Sequence, residues 1–266
     1  MLLRNVFTKT LRDLRWPTFW VSLGMGGMTG YFALLFPTYS QMFDLGSMLE
    51  KLGPAAKLFG ASIGDANTLV GFLHIELFSM ILPALMVALA AGMASGFTAG
   101  EESRGTIDVL LSYPVSRRRL VLEKTAALMI ACVVAAVAVW AFAVAGAAAS
   151  ASDLPWDKLA VALAMLVLLG LAFGSIALAI SAATGNRGAA IGVTVGLMVA
   201  MYLVDALSAI VDGLRVVRPL SLFHYYMGND PLRNGLSFAD AGVLLAVAVG
   251  FLAASLVLFD RRDLAS

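Results

Sequence analysis

Six long apolar segments constrain this chain more than any other feature of its sequence. The hydrocarbon core of a bilayer is about 30 Å thick, and a helix needs roughly 20 apolar residues to cross it. The segments that meet or nearly meet this length are residues 19–36, 71–97, 126–149, 159–183, 189–211 and 241–259. The sequence therefore predicts an all-α membrane protein with six transmembrane helices and a single domain over residues 1–266.

Composition excludes most soluble classes. Hydrophobic residues make up 61% of the chain and charged residues 13%, whereas about 25% of a typical soluble domain is charged. A lipid-facing surface accommodates such a composition, because the bilayer replaces water as the solvent. Cys132 is the single cysteine, so the chain has no disulfide framework or CxxC metal pattern. No basic run resembles a nucleic-acid-binding arm.

The distribution of Lys and Arg predicts the orientation. Twelve of these residues fall in one set of loops and six in the opposite set. The richer set contains Arg4, Lys9, Arg12, Arg15, Arg104, Arg117, Arg118, Arg119, Lys124, Arg187, Arg261 and Arg262. Loops rich in Lys and Arg stay in the cytoplasm, so both termini are expected there.

The first residues have an amphipathic pattern. A helical stripe of apolar side chains consists of Leu3, Phe7, Leu11 and Leu14. We expect residues 3–15 to lie along the membrane surface as an interfacial helix, and the chain to turn into the bilayer at Pro17.

Glycines at four-residue spacing predict close helix contacts, since they leave one helix face without side chains. Gly188, Gly192 and Gly196 form such a row in the fifth segment, and Gly92, Gly96 and Gly100 form another. The pairs Gly26–Gly30 and Gly170–Gly174 repeat the spacing. The fifth-segment row is a candidate contact with a second chain, as are the glycines of the first segment. Ordinary intrachain packing is the favoured explanation for any single pair and an equal alternative for the two rows.

Few ionisable residues lie in the apolar segments. Asp205 is a candidate translocation residue, because a carboxylate within a span usually faces a bundle interior or an aqueous cavity. Its position near the outer end of the fifth segment makes simple solvation an equal alternative. His74 and Glu76 are two positions apart and do not share a helix face, so interfacial anchoring is favoured over a proton or metal role.

The loop between the second and third segments contains the most informative motif. Thr106 can cap a short helix in which Ile107, Leu110 and Leu111 share one face. Pro114 ends that helix, and Ser116 can cap the next one. On composition alone, a solvated amphipathic loop that lies against the lipid headgroups is the favoured interpretation.

The motif in this loop consists of Glu101, Glu102, Gly105, Thr106, Ile107, Asp108, Leu110, Leu111, Pro114, Ser116 and Arg117. It resembles the signature of type-2 ABC exporter permeases. The segment from Pro219 to Leu232 and the closing residues Phe259 to Leu264 also resemble that family. The resemblance implies that the loop forms a coupling helix on a nucleotide-binding subunit, and that short outer helices lie between the fifth and sixth spans.

The resemblance also implies the partners. None of the five lysines follows a glycine, so the chain lacks the Gly-Lys-Ser/Thr of a Walker A motif. ATP and Mg would be bound by a separate ATPase subunit, present in two copies. The permease would pair with itself or a close paralogue in the cytoplasmic membrane of a prokaryote, and would hold no cofactor or metal of its own.

Three other functions are alternatives to an ATP-driven exporter. A stand-alone secondary transporter would normally have charged or broken helices near the midplane. An intramembrane enzyme is disfavoured, because the matches at residues 60–64 (G-x-S-x-G) and at Glu101 and Glu102 lack the partner residues that such sites need. An assembly scaffold is the third. The sequence does not identify a substrate, and the short outer loops favour small hydrophobic compounds or peptides only slightly.

Overall fold

A computed structural model describes residues 6–42, 47, 51, 67–97 and 116–261; the side chains of residues 117 and 261 are not described. The described part is helical. Its helices are α1 (Val6–Met42), α2 (Leu69–Leu73), α3 (Ile81–Ala94), α4 (Arg117–Ala149), α5 (Trp156–Thr184), α6 (Arg187–Leu207), α7 (Leu222–Met227), α8 (Pro231–Asn234) and α9 (Phe238–Arg261).

Five of these helices are long and apolar enough to cross a membrane, and α2 with α3 forms a sixth, bent span. The predicted count of six is therefore met when the bent pair is taken as one span. A π-helical turn, His74–Phe78, follows α2, and the two halves of this span meet at 43°. The break between the halves consists of residues 79–80, just before the start of α3. Pro83 follows closely, and it has no N–H to donate to the preceding turn.

The predicted chain turn at Pro17 is wrong, because α1 is one continuous helix of 37 residues with Pro17 inside it. At 1.5 Å per residue it is about 55 Å long, well beyond the bilayer core. Tertiary contacts hold the first turns in line. The Phe7 amide N–H donates to Glu123 Oε2 of α4 at 3.0 Å, and Leu14 packs against the core. Leu3 lies outside the described residues, while Phe7 and Leu11 are half-buried.

Glycines allow α1 and α4 to cross closely. A Cβ atom at Gly146 would lie 2.4 Å from the Gly30 carbonyl oxygen, and one at Gly30 would lie 2.9 Å from the Phe142 carbonyl oxygen. A Cβ at Gly26 would meet the Phe142 ring at 2.8 Å. The predicted close contact at the Gly26–Gly30 pair is therefore present, but its partner is α4 of the same chain.

Helix α5 is the centre of the bundle. Of its most apolar stretch, 72% is buried inside the protein, against 17% for α6 and 22% for α9. Gly170 and Gly174 pack on the second span, where added Cβ atoms would meet the Met86 side chain at 2.7 Å and the Ala90 Cβ at 3.2 Å. The low burial of α6 leaves most of its apolar surface for lipid or for another chain.

Polar contacts at the ends of the helices establish the sidedness of the bundle. The start of α4 contacts the start of α1 and the end of α9, the latter through Arg118 Nε and Asp260 Oδ2 at 2.7 Å. The ends of α3 and α5 and the start of α6 lie at the same end. We call this end the N-terminal side. The short helices between α6 and α9 lie at the opposite end, where Lys158 Nζ donates to the Arg233 carbonyl. Short helices were predicted in this segment.

Candidate functional site

The predicted coupling loop joins α3 to α4 on the N-terminal side. The residues predicted to form it lie outside the described part of the chain, apart from the backbone of Arg117. They are Glu101, Glu102, Gly105, Thr106, Ile107, Leu110, Leu111 and Pro114. The structure does describe both attachment points of this loop, Phe97 and Ser116.

The end of the second span is held by donors from three other spans. Lys124 Nζ of α4 donates to the Phe97 carbonyl oxygen at 3.0 Å. Ser181 Oγ of α5 donates to the Ser95 carbonyl oxygen at 2.9 Å, and Arg187 Nη2 of α6 donates to the Gly92 carbonyl oxygen at 3.2 Å. We call Lys124, Ser181 and Arg187 the carbonyl clamp.

Helix physics explains the composition of this clamp. The last four carbonyl groups of a helix have no backbone partner within that helix, so donors from other elements can bind them. Cations at a helix C-terminus also interact favourably with the helix dipole. Lys124 is only 3% exposed, and its ammonium group lies 5.7 Å from the centre of the Phe97 ring, so its charge is stabilised by the carbonyl and by the ring face.

A tight hairpin between α5 and α6 positions Arg187. Gly185 ends α5 in the left-handed region at φ 62°, and its N–H donates to the Ser181 carbonyl oxygen at 2.9 Å. Glycine adopts this conformation without steric cost. Asn186 then caps α6, since its Oδ1 accepts from the Ala189 N–H at 3.0 Å. The sequence Gly-Asn-Arg therefore turns the chain within two residues and places the guanidinium against the end of α3.

The other attachment point is a capped helix start. The Ser116 side chain accepts a hydrogen bond from the Arg119 N–H at 3.3 Å, which confirms the predicted cap. One turn on, Glu123 accepts from both Arg119 Nε, at 2.7 Å, and the Phe7 N–H. The loop therefore joins two helix ends that are each tied to other parts of the bundle.

The predicted contact row on α6 does not pack within the chain. Gly188, Gly192 and Gly196 are exposed. A Cβ at Gly192 or Gly196 would have open space around it, and one at Gly188 would meet only the Asn186 side chain, at 3.4 Å. The row is thus on the outside of a peripheral helix, and its role as a contact between chains stays a prediction.

Arginine–aspartate ion pairs lie at the opposite end of the bundle, and His74 lies beside one of them. Arg218 Nε donates to Asp205 Oδ1 at 2.8 Å, which ties the end of α6 to the segment that follows it. His74 is 4% exposed, and its Nδ1 lies 3.7 Å from Asp230 Oδ1. Asp230 also pairs with Arg233 Nε at 3.2 Å. Glu76 is half-buried in the π-helical turn. The translocation role of Asp205 stays a prediction.

Sequence reasoning did not identify the carbonyl clamp. In the sequence, Lys124 and Arg187 stand out only as charges that predict topology, and Ser181 lies within a predicted apolar span. A signal was available, because Lys124 is followed directly by an apolar segment and Arg187 follows a Gly-Asn pair between two spans. Such positions place cations at the membrane boundary, where helix C-termini also lie.

Comparison with known proteins identifies the family. A family model described as ABC-2 family transporter protein matches residues 28–264. The match covers all six spans except the first part of α1, and it includes the loop between α3 and α4. A search of curated proteins returned no match.

Proposed function

Because this chain belongs to the ABC-2 transporter family, we propose that it is the transmembrane permease subunit of an ATP-driven exporter, and that its loop between α3 and α4 is the docking point for the ATPase. Members of the family are membrane components of transporters, and the family implies association with an ABC ATPase subunit. The chain itself makes and breaks no covalent bond in this proposal. ATP and Mg are bound by two copies of the partner subunit.

The carbonyl clamp is the observation that carries the proposal. It ties the point where the loop leaves α3 to α4, α5 and α6 through three hydrogen bonds. Bonds between charged donors and buried acceptors are worth about 1.5–3 kcal/mol each. A force applied to the loop would therefore act on four spans together. A separate ATPase subunit that drives transport through this loop needs such a connection.

We further propose that two permease chains pair through α6. Its row of exposed glycines would let a second helix approach closely, since small residues bring backbones together in membranes. Only 17% of the most apolar stretch of α6 is buried, against 72% of that of α5. Helix α6 therefore has more surface available for a second chain. A homodimer or a pair with a close paralogue fits this surface equally.

The N-terminal side faces the cytoplasm in this proposal. Arg118, Arg119, Lys124 and Arg187 all lie there in the structure, which supports the grouping of Lys and Arg on which the orientation was predicted. The membrane would be the cytoplasmic membrane of a prokaryote, where soluble ATPase subunits have access to this side.

A stand-alone secondary transporter is the second candidate, and the ion pairs argue against it. Such transporters place ionisable groups or broken helices near the bilayer midplane. Here the bent second span is the one such feature in the described residues. Asp205 near the end of α6 is paired with Arg218, and Lys124 and Arg187 bind helix carbonyls at the other end.

Copurification tests the proposal. Tagged permease is coexpressed with the ABC ATPase subunit, and the retained ATPase is measured for the wild type and for the double variant Leu110→Asp, Leu111→Asp. Burying an unpaired charge costs several kcal/mol, so the double variant should lose the ATPase while still inserting in the membrane. Arg218→Gln on the opposite side is the control and should retain it. Equal retention by the double variant and the wild type would reject this docking site.

A further inference from the structure

A cavity of about 480 Å³ lies on the N-terminal side between the first half of α1 and the second half of the bent second span. This volume lies within the range of 300–1,000 Å³ that is typical of small-molecule sites. Most lining residues are apolar, and the cavity extends from the carbonyl clamp toward the interior of the membrane. It is distinct from the proposed docking loop and from the row of glycines on α6.

The residues that line the cavity change from apolar to charged along the membrane normal. Leu85, Ala88 and Val21 line the deeper end, and Leu85 lies two helical turns before Gly92, or about 10 Å at 1.5 Å per residue. Charged groups line only the end near the membrane surface. A ligand that fits this gradient has an apolar tail in the hydrocarbon region and a polar headgroup at the boundary.

The charged end of the cavity contains two cations and one carboxylate. Lys124 and Arg187 are the cations and Asp13 the carboxylate. The Lys124 ammonium group is already engaged with the Phe97 carbonyl. Arg187 is exposed and uses Nη2 for the Gly92 carbonyl. Its guanidinium has five N–H donors in a planar fork that matches carboxylate and phosphate groups.

From this arrangement we propose that the cavity binds a single-chain anionic amphiphile, with its phosphate or carboxylate on Arg187 and its alkyl chain along Leu85 and Ala88. This inference deepens the proposed function, on which it rests, because it names the substrate class of the permease. A cationic compound lacks an anionic headgroup for the guanidinium, and a neutral polymer lacks both that charge and the single alkyl chain.

Binding to the full-length permease tests the proposal without the ATPase. The protein is reconstituted in nanodiscs of zwitterionic phosphatidylcholine, and equilibrium binding of dodecyl phosphate is compared with that of dodecylphosphocholine and dodecyltrimethylammonium. The three probes share one tail, so differences report the headgroup. We expect dodecyl phosphate to bind at least tenfold more tightly than the other two. Equal binding of all three, or tighter binding of the zwitterion or the cation, would overturn the anionic assignment.

Three variants locate the site. Arg187→Gln should weaken dodecyl phosphate binding at least tenfold, and Asp13→Asn should strengthen it, since Asp13 is the carboxylate on the lining. Ala88→Trp fills the tail end at an exposed position and should abolish binding, whereas Ala253→Trp, an exposed alanine on α9, should leave it unchanged.

Ala88→Trp keeps the test decisive if Arg187→Gln fails to fold, because it leaves the carbonyl clamp intact. Unchanged binding in Ala88→Trp, or loss of binding in Ala253→Trp, would contradict the site. ATPase copurification is measured on the same variants, so failure of docking is distinguished from failure of binding.

Discussion

Replacing Gly146 with alanine tests the close crossing of α1 and α4. The new Cβ would lie 2.4 Å from the Gly30 carbonyl oxygen and 3.0 Å from the Ala33 Cβ. Ordinary van der Waals contact begins at 3.4 Å, so the two backbones must move apart by up to about 1 Å at this level. The contacts of Gly26 and Gly30 with Phe142 lie in the same interface between α1 and α4, and the separation would weaken them too.

The magnitude follows from packing. A gap of 0.5–1 Å forfeits a quarter to a half of the attraction between the separated atoms, and overpacking typically costs about 1–3 kcal/mol. Alanine also favours the helix over glycine by about 1 kcal/mol. Gly250→Ala has the same helix gain with no atom within 4 Å of the new Cβ. We therefore expect the two variants to differ by about 1–3 kcal/mol, with Gly146→Ala the less stable.

The single cysteine provides the assay. Cys132 lies on α4 and is fully buried, so a thiol-reactive fluorescent dye labels it only as the bundle opens. For a soluble domain of similar size, 1 kcal/mol shifts the melting midpoint by about 2–4 °C. Gly146→Ala should melt several degrees below Gly250→Ala in the same detergent. Coincident midpoints would refute the close crossing and the role of Gly30 in it.

Three further predictions follow from other parts of the bundle. Lys124→Met keeps most of the side-chain length but removes the donor to the Phe97 carbonyl, and should lower stability by about 1.5–3 kcal/mol in the dye assay; unchanged melting would remove Lys124 from the clamp. Gly192→Leu should reduce dimer recovery in size-exclusion chromatography more than Gly250→Leu, because leucine holds two backbones apart, and equal recovery would exclude the α6 row as the interface. In a Cys132→Ser background, cysteines introduced at Ser62 and Asn229 should be labelled from outside intact cells and those at Ser103 and Ser266 protected, and external labelling of Ser103 would reverse the orientation.

The apolar periodicity predicted most of the fold. Each of the six predicted segments contains or overlaps a helix of the structure, because the length of an apolar run directly reflects the bilayer thickness. The helix ends were less predictable. Residues 6–15 continue into α1 because the Phe7 N–H and Leu14 contact other elements, and such tertiary contacts have no local sequence signal. The π-helical turn at His74–Phe78 is likewise invisible in the pattern of apolar residues.

Glycine spacing predicted close contacts but not the partners. The Gly26–Gly30 pair does contact a helix closely, yet the partner depends on Gly146, which has no glycine at a spacing of four. The candidate site likewise combines a feature that the local sequence predicts with one that it does not. The Ser116 cap follows from local sequence, whereas the carbonyl clamp brings together residues of four spans, and only the fold places Arg187 beside Gly92.

Site-specific photocrosslinking tests the central claim, that the loop between α3 and α4 contacts the ATPase. Benzoylphenylalanine is introduced at Leu110 in the loop and, separately, at Val133, which is 44% exposed on α4 at the level of the membrane. The permease is coexpressed with the ABC ATPase subunit, and membranes are irradiated and probed for the ATPase. We predict a crosslinked product of permease and ATPase at position 110 and none at position 133. A crosslink at neither position, in membranes where the ATPase is present, would contradict it.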